Sequence, residues 1–216
     1  MLVEVWSDLV CPFCAIGRKN LQIALEGYDH ADEVTVRWRS FQLDPTPGVA
    51  GEPGSMAAGL AKKYGMSLAE AEANQEQLRQ SAAQVGLDFR WDLVRPSNTF
   101  DAHRLAHIVG ELAPDRADAV VDGLFTGYFT EGAALTDHQV LVEIAVQAGV
   151  PAAEVRTALA GDAGTDGVQE DLAQARAYGI SAVPFFVIDQ TYGVSGAQPP
   201  EVLTAAFEEA REAAAG

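Results

Sequence analysis

The sequence predicts an α/β fold in which a βαβ unit and a ββα unit are separated by a large all-helical insertion. Two observations predict it. Strand patterns occur only near the two ends of the chain, and the stretch between them shows helical spacing and helix caps. With 216 residues, 48% apolar and 21% charged, the chain is long enough to bury a hydrophobic core without disulfides.

The start of the chain is typical of a βαβ unit. Residues 2–6 read as a buried strand, and the segment from Cys11 to Gly27 has the apolar spacing of a helix. Residues 34–39 then alternate between apolar and polar side chains, as in a second strand. Because a helical crossover joins the two strands, we expect them to be parallel.

The middle of the chain is predicted to be helical after a Gly- and Pro-rich loop over residues 44–54. The capping box Ser67–Glu70 begins a helix that runs to about Val85, with Gly86 as its left-handed cap. Further helices are predicted to begin at Ser97 or Asn98, at Pro114, at a second capping box Thr136–Gln139, at Pro151 and at Asp162.

Strand patterns return after Gly179. Residues 183–188, a turn over 189–193 and residues 194–196 predict a hairpin, and an amphipathic helix follows over 200–214. Each half of the sheet is too small to be stable alone, so we expect the halves to pair across the insertion. Residues 1–44 and 179–216 therefore form one discontinuous predicted domain, and residues 45–178 form a helical insertion subdomain.

The charge of the chain argues against several classes of function. Fourteen Lys and Arg against 31 Asp and Glu give a net charge of −17, which would repel nucleic acid and an anionic membrane surface. The sequence has neither a stretch of membrane-spanning length nor the basic and apolar regions of a secretory signal at its start. We therefore expect a cytoplasmic protein.

The two cysteines of the chain, Cys11 and Cys14, are two residues apart at the predicted junction of strand and helix. Such a pair closes too small a loop to stabilise a fold, and a structural zinc site usually needs four ligands. At a helix N-terminus, free backbone N–H groups stabilise a thiolate, and Pro12 suits the first helical turn. Attack by Cys11 on a disulfide, followed by attack of Cys14 on the mixed disulfide, is the chemistry that this spacing permits.

The helix dipole limits how reactive Cys11 is expected to be. The dipole alone would lower the pKa of this thiol by roughly one unit. Pro12 and Phe13, which lie between the cysteines, add neither a cation nor a hydrogen bond to the sulfur. We therefore expect a moderately activated thiol and a moderate oxidant.

Three parts of the sequence carry a family resemblance that spans essentially the whole chain. They are residues 7–17 (SDLVCPFCAIG), residues 97–99 (SNT) with 102–104 (AHR), and residues 179–184 (GISAVP) with 194–198 (VSGAQ). The chain resembles the DsbA-like thiol–disulfide oxidoreductases of the thioredoxin superfamily, most closely the FrnE-type branch. The resemblance implies a thioredoxin-like fold interrupted by the helical insertion. It also implies protein-disulfide oxidoreductase activity, with Cys11 and Cys14 as the catalytic residues.

The resemblance further implies that Val183–Pro184 is a cis peptide bond that faces the cysteines. The backbone of Val183 could then pair with an extended substrate segment. Pro12 and Phe13 are expected to contact substrate, although many relatives carry His or Trp at the position of Phe13.

The middle segment of the resemblance implies that Asn98, Thr99, His103 and Arg104 line a substrate cleft between insertion and sheet. The alternative is that these residues pack within the fold with their hydrogen bonds satisfied, or cap a helix. His103 and His107 are four residues apart, but the acid that a metal motif requires does not follow His103. We therefore expect no metal site.

The favoured function is a thiol–disulfide oxidoreductase that exchanges disulfides with protein or small thiol substrates. One alternative is a glutathione-dependent isomerase or transferase of an aromatic small molecule, similar to 2-hydroxychromene-2-carboxylate isomerase. In that branch the attacking position is usually serine and the second cysteine is absent. The other alternative is a non-catalytic binding module. We expect no tightly bound cofactor, and we consider glutathione a candidate thiol co-substrate and a homodimer a candidate assembly.

Overall fold

The computed structural model describes residues 1–46 and 51–215. The chain divides into two compact units, one formed by Met1–Leu43 with the chain from Gln169 onward and the other by Asp44–Val168. Part of the predicted Gly- and Pro-rich loop, residues 47–50, lies outside the described residues.

The first unit is built on a four-stranded sheet with the order β2-β1-β3-β4. The two central strands are antiparallel, β1 is parallel to β2, and β3 forms an antiparallel hairpin with β4. This arrangement confirms the predicted fold class, a thioredoxin-like fold with a helical insertion. The strands are β1 (Leu2–Ser7), β2 (Thr35–Ser40), β3 (Phe185–Ile188) and β4 (Tyr192–Ser195).

Short 3-10 turns at Ala31–Glu33 and Pro114–Arg116 and a π-helical turn at Gly127–Glu131 supplement the longer helices. The α-helices within the described residues are α1 (Pro12–Glu26), α2 (Met56–Tyr64), α3 (Leu68–Gln84), α4 (Phe100–Leu112), α5 (Ala117–Thr126), α6 (His138–Gln147), α7 (Ala152–Ala160), α8 (Thr165–Ala177) and α9 (Pro200–Ala215).

One face of the sheet forms the main core of the first unit. Every second residue of β1 and β3 points to this face and packs against apolar residues of α1 and α9. Burial of apolar surface is the dominant favourable term in folding. The fully or nearly buried members of this core are Val3, Val5, Leu21, Ala24, Tyr28, Phe186, Ile188, Leu203, Phe207 and Ala210. Because α1 is fixed by this core, the start of the helix is held at the end of β1.

The opposite face of the sheet carries a buried ionic network. Arg39 on β2 binds Glu4 on β1 and also donates from Nη1 to Oδ1 of Asp171 at 2.8 Å. The second carboxylate oxygen of Asp171 accepts the backbone N–H of Ser40 at 2.8 Å. Trp6 donates its indole N–H to the carbonyl of Asp171 at 3.1 Å, so the network ties the second half of α8 to the sheet.

The network explains where the compact units differ from the predicted domains. Residues 169–178 fall in the unit of the sheet, whereas the sequence analysis placed them in the insertion. Their helical pattern gave no sign that Asp171 binds strand residues. The predicted domains, one of residues 1–44 with 179–216 and one of residues 45–178, stay a prediction.

The second unit is helical, and one of its two predicted capping boxes is present. The capping box of Ser67 and Glu70 is present, and Gly86 has a φ of 80° beyond the end of α3. At α6, however, Asp137 is the N-cap and accepts the N–H of Gln139 at 2.8 Å. The predicted box with Thr136 as the cap is therefore wrong, because Asp is the stronger of the two N-cap residues.

Two other predicted helix starts are displaced by a few residues. α4 begins at Phe100 after Thr99, and neither Ser97 nor Asn98 is its N-cap. The side chain of Asn98 nevertheless accepts the N–H of Phe100 at 2.9 Å. The helix predicted from Asp162 begins at Thr165, after Gly164 in a left-handed conformation.

The terminal hairpin is tighter than the sequence suggested. Asp189 and Gln190 both have positive φ, 46° and 57°, and only residues 189–191 separate the paired strand residues Ile188 and Tyr192. Thr191 donates its N–H to the carbonyl of Ile188 at 3.0 Å. β4 therefore begins at Tyr192, within the segment that was predicted to be the turn.

Candidate active site

Cys11 lies where the chain turns from β1 into α1. Its N–H donates to the carbonyl of Asp8 at 3.0 Å, which closes a tight turn after the strand. Cys11 is the N-cap residue of α1, with extended backbone angles, and Pro12 occupies the first helical position as predicted. No side-chain hydrogen bond caps this helix and its first turn has no acidic residue, so the N-terminus is left open for the Cys11 sulfur.

The pKa of Cys11 is lowered from its ordinary value. The largest cause is a hydrogen bond from the Cys14 thiol, which stabilises the Cys11 thiolate against the opposing effect of burial. The backbone N–H groups of Cys14 and Phe13 lower it further, whereas the negative charge of Asp8 raises it. The direction of this shift agrees with the predicted activation, but its largest cause is the second thiol and not the backbone at the helix start.

Cys14 has the opposite electrostatic environment. Burial raises the pKa of the Cys14 thiol well above its ordinary value, and the hydrogen bond and charge of Cys11 act in the same direction. The nearby Ser7 side chain partly opposes these effects and lowers the pKa of Cys14. Both cysteines are free and buried, with 4% of Cys11 and 1% of Cys14 exposed. The arrangement can hold one thiolate and one protonated thiol side by side.

A second segment of the first unit lies beside the sulfur of Cys11. The carbonyl oxygen of Val183 is 3.7 Å from Cys11 Sγ, and the Val183–Pro184 peptide bond is cis. The carbonyl of Pro184 accepts the N–H of Gly196 at 2.8 Å, which joins this segment to the end of β4. Cys11 thus faces a backbone edge that comes from a distant part of the sequence.

Six of the eight predicted site residues lie together in the first unit. Cys11, Cys14, Val183 and Pro184 form the immediate surroundings of the sulfur atoms. Pro12 and Phe13 lie between the cysteines, and Phe13 is an exposed aromatic side chain with 51% of its surface accessible. Such exposure next to Cys11 is unusual for a large apolar residue, which is more often buried.

Asn98 and His103 belong to the second unit, and the described hydrogen bonds of Asn98 are made within that unit. Its amide donates to the carbonyl of Thr46 at 2.9 Å in addition to accepting the N–H of Phe100. His103 is buried on α4, with 4% of its surface exposed. The contacts of Asn98 are those of the packing and capping alternative, and a substrate role for Asn98 or His103 stays a prediction.

Arg104 also has a structural explanation. Its guanidinium donates to the carbonyls of Ala163 at 2.9 Å and Gly161 at 2.6 Å, near the end of α7. It also pairs with Asp101 at 2.8 Å. A cation that binds carbonyls at the C-terminal end of a helix stabilises that end.

Asp8 and Ser7 were not among the predicted site residues. Both precede the cysteines at the end of β1, and both affect the thiols. Their proximity to Cys11 in the sequence was the available signal. Among the described residues, no group of three or more His, Cys, Asp or Glu side chains is arranged to hold a metal ion.

Comparison with known proteins gives the family of this chain. The DSBA-like thioredoxin domain matches residues 2–208. The chain belongs to this family. A solved structure from Streptomyces coelicolor, described as a probable DsbA oxidoreductase, is 41% identical, with a TM-score of 0.90 over 98% of this chain and 90% of that one.

Two more distant structures share the DsbA-like fold. The cytosolic disulfide reductase DsbM from Pseudomonas aeruginosa is 14% identical, with a TM-score of 0.68 over 97% of this chain and 98% of that chain, and it has also been solved with GSH. A 2-hydroxychromene-2-carboxylate isomerase is 16% identical, with a TM-score of 0.67 over 100% of this chain and 98% of that chain. Within the described residues, no helix is long and apolar enough to cross a membrane.

Proposed function

We propose that this protein is a thiol–disulfide oxidoreductase in which Cys11 attacks and Cys14 resolves. The observation that carries the proposal is the opposite environment of the two thiols, one with a lowered and one with a raised pKa. The thiolate is the reactive form of cysteine, so the thiol with the lower pKa is the better candidate nucleophile at neutral pH. Membership in the DSBA-like thioredoxin domain family supports this assignment.

The proposed reaction consists of two exchange steps. The Cys11 thiolate attacks one sulfur of a substrate disulfide, which forms a mixed disulfide and releases the other substrate sulfur as a thiolate. Cys14 then loses its proton and attacks Cys11 Sγ, which forms the Cys11–Cys14 disulfide and releases the remaining substrate thiolate. The substrate gains two electrons that the two cysteines lose, and a thiol reductant returns the pair to the dithiol. The same steps in reverse oxidise a substrate dithiol.

We propose that substrate recognition uses the surroundings of Cys11. An extended substrate segment would pair with the backbone of Val183, whose carbonyl is already within 3.7 Å of Cys11 Sγ. Pro12, Phe13 and Pro184 would contact its side chains, and the exposure of Phe13 supports an apolar contact. Asn98 and His103 remain predicted substrate contacts.

The partners and compartment belong to the same proposal. We propose protein or small-molecule disulfides and thiols as substrates, with glutathione as a thiol co-substrate, because the DsbM structure has been solved with GSH. We also propose a cytoplasmic location and a moderate redox potential. The FrnE-type assignment and a homodimer stay predictions. The isomerase similarity shows the fold alone, and the presence of both cysteines favours disulfide exchange.

Insulin reduction by dithiothreitol tests the proposal. The wild type should accelerate the appearance of turbidity, and Cys11→Ser should reduce the rate to that of dithiothreitol alone. Cys14→Ser, a matched control with one thiol of the pair retained, should accumulate a mixed disulfide with insulin that non-reducing electrophoresis separates. Equal acceleration by the wild type and Cys11→Ser would reject the proposal, and retention on glutathione resin would then favour the isomerase class.

A further inference from the structure

Pro184 packs against α1 at a position where the helix has no side chain. A Cβ atom added to Gly17 would lie 2.8 Å from Pro184 Cγ and 3.5 Å from Phe186 Cζ. Real Cβ contacts are longer than the first of these distances, and the Pro184 ring is bonded to its own backbone, so it cannot move away as a flexible side-chain end could. Glycine is unfavourable inside a helix. The close approach of Pro184 explains its presence at position 17, because a larger residue would collide with the proline ring.

A second contact joins the same helix to the same segment. Asn20 lies three residues beyond Gly17, so both side-chain positions are on one side of α1. Its amide donates to the carbonyl of Gln198 at 2.9 Å, and Asn20 is 5% exposed. The N–H of Gln198 donates to the carbonyl of Gly196, and the N–H of Gly196 donates to the carbonyl of Pro184. Asn20 therefore binds the turn over residues 196–198, and this turn in turn binds the carbonyl of Pro184.

We propose that Gly17 and Asn20 are positioning residues that place the Val183–Pro184 backbone beside Cys11. One helix carries the candidate nucleophile at its N-terminus and fixes the backbone opposite it through its second and third turns. The distance of 3.7 Å between Cys11 Sγ and the Val183 carbonyl would then depend on residues that do not touch either atom. The inference rests on the proposed function, because it concerns how a peptide substrate meets Cys11.

Positioning predicts a separation between two reactions of the same thiol. Exchange with a peptide disulfide needs the Val183 backbone aligned with the substrate segment. Alkylation by the small reagent iodoacetamide needs the Cys11 thiolate and access to its sulfur, but no pairing with the Val183 backbone. A displacement of the Val183 segment should therefore impair the first reaction and leave the second intact. A purely structural role for Gly17 and Asn20 would affect both reactions together, through loss of folded protein.

Gly17→Ala is the first variant, with Gly110→Ala as its matched control. Gly110 also lies within a helix, is exposed, and has open space where a Cβ would be added. We expect Gly17→Ala to slow exchange with a disulfide-containing peptide on the order of tenfold to a hundredfold, the range expected for a small misplacement of reacting groups. Its rate of alkylation at Cys11 should not fall, and Gly110→Ala should match the wild type in both reactions.

Asn20→Ala is the second variant, in case Gly17→Ala does not fold. Its matched control is Gln22→Ala, an exposed amide on α1 whose hydrogen bonds among the described residues are with Lys19 and Glu26 of the same helix. We expect Asn20→Ala to slow peptide exchange in the same selective way, by a smaller factor, because it acts through the turn at Gly196. Circular dichroism should show that the compared variants are folded.

Three outcomes would overturn the inference while the wild type is active. The first is that Gly17→Ala and Asn20→Ala are folded and exchange with the peptide as fast as their controls. Parallel loss of exchange and alkylation is another, because it would indicate damage to Cys11 itself. Failure of Gly17→Ala to fold, combined with unchanged exchange by Asn20→Ala, is the third. If the wild type does not exchange with any peptide disulfide, the proposed function fails instead.

Discussion

Two helices of this chain have N-termini that are built in opposite ways. At α3, the Ser67 hydroxyl accepts the N–H of Glu70 at 3.2 Å, and the Glu70 carboxylate accepts the N–H of Ser67 at 2.8 Å. At α1, no side-chain hydrogen bond caps the helix, and backbone N–H groups act on the Cys11 sulfur instead. Free N–H groups at a helix start must find an acceptor, and the two helices use different ones.

The difference shows how the same backbone feature serves stability in one place and chemistry in another. A closed capping box stabilises a helix and already supplies acceptors for two of the backbone N–H groups at its start. An open N-terminus is less stable by itself, but it favours an anion, and a thiolate at position 11 is such an anion. We expect changes at α1 to alter thiol chemistry and changes at α3 to alter stability only.

Replacement of Cys11 should give the largest effect and should separate stability from activity. Cys11→Ser closes α1 with a hydroxyl cap, so its free energy of unfolding should exceed that of Cys11→Ala by about 1 kcal/mol. Both variants should lose insulin reduction completely. Urea denaturation followed by circular dichroism measures the difference. Equal stability of Ser and Ala at this position would show that the N-terminus of α1 is not open.

Removal of the cap at α3 should affect stability without affecting the thiols. Ser67→Ala should lower the free energy of unfolding by about 1 kcal/mol, because the Ser67 hydroxyl no longer accepts the N–H of Glu70 or donates to the Glu70 carboxylate. Ser81→Ala on the same helix is the control, since its hydroxyl binds only the preceding turn. The alkylation rate of Cys11 should be unchanged in both variants, and a shift in Ser67→Ala would contradict the separation.

A charge placed in the first turn of α1 should shift the pKa of Cys11 in a direction set by its sign. Phe13 is exposed, so lysine, glutamate and glutamine can replace it without loss of core packing. Phe13→Lys should lower the pKa of Cys11 and Phe13→Glu should raise it, each by about half a pH unit relative to Phe13→Gln. The pH dependence of iodoacetamide modification measures these shifts. An order that does not follow charge would argue against electrostatic control.

Asp8→Asn should give the smallest shift. The Asp8 carboxylate raises the pKa of Cys11 and is among the smaller causes of its shift, so its neutralisation should lower that pKa by less than the charge changes at Phe13. Asparagine keeps an oxygen for the N–H of Leu43, which donates to Asp8 at 2.7 Å. Asp29→Asn, an exposed change in the same unit, is the control. A rise in the pKa of Cys11 in Asp8→Asn would contradict the assigned sign.

Local signals in the sequence predicted the framework of the fold and the centre of the site. The βαβ and ββα units follow from periodicity, and the position of Cys11 at a helix start follows from the residues on either side of it. The resemblance to a family, not the local sequence, implied the place of Val183 and Pro184 opposite the cysteines. These features depend on neighbours in the chain or on a motif that spans it.

Contacts between distant residues were not predictable in the same way. Arg39 has the alternation of a strand residue that faces solvent, yet it pairs with Glu4 and Asp171 in a buried network. Gly17 reads as an ordinary glycine in a helix, although Pro184 occupies the space beside it. Pairing of buried charges and close approach of backbones are tertiary properties, and one sequence gives no signal for them.

The pH dependence of alkylation at each cysteine of the reduced protein tests the central claim most directly. Fragmentation of the peptide that contains both residues, followed by mass spectrometry, assigns the label to Cys11 or Cys14. We predict that modification of Cys11 rises at a pH below the ordinary thiol range, and that Cys14 stays protonated and unmodified until well above it. Modification of Cys14 before Cys11, or of both at the ordinary thiol pH, would contradict the account.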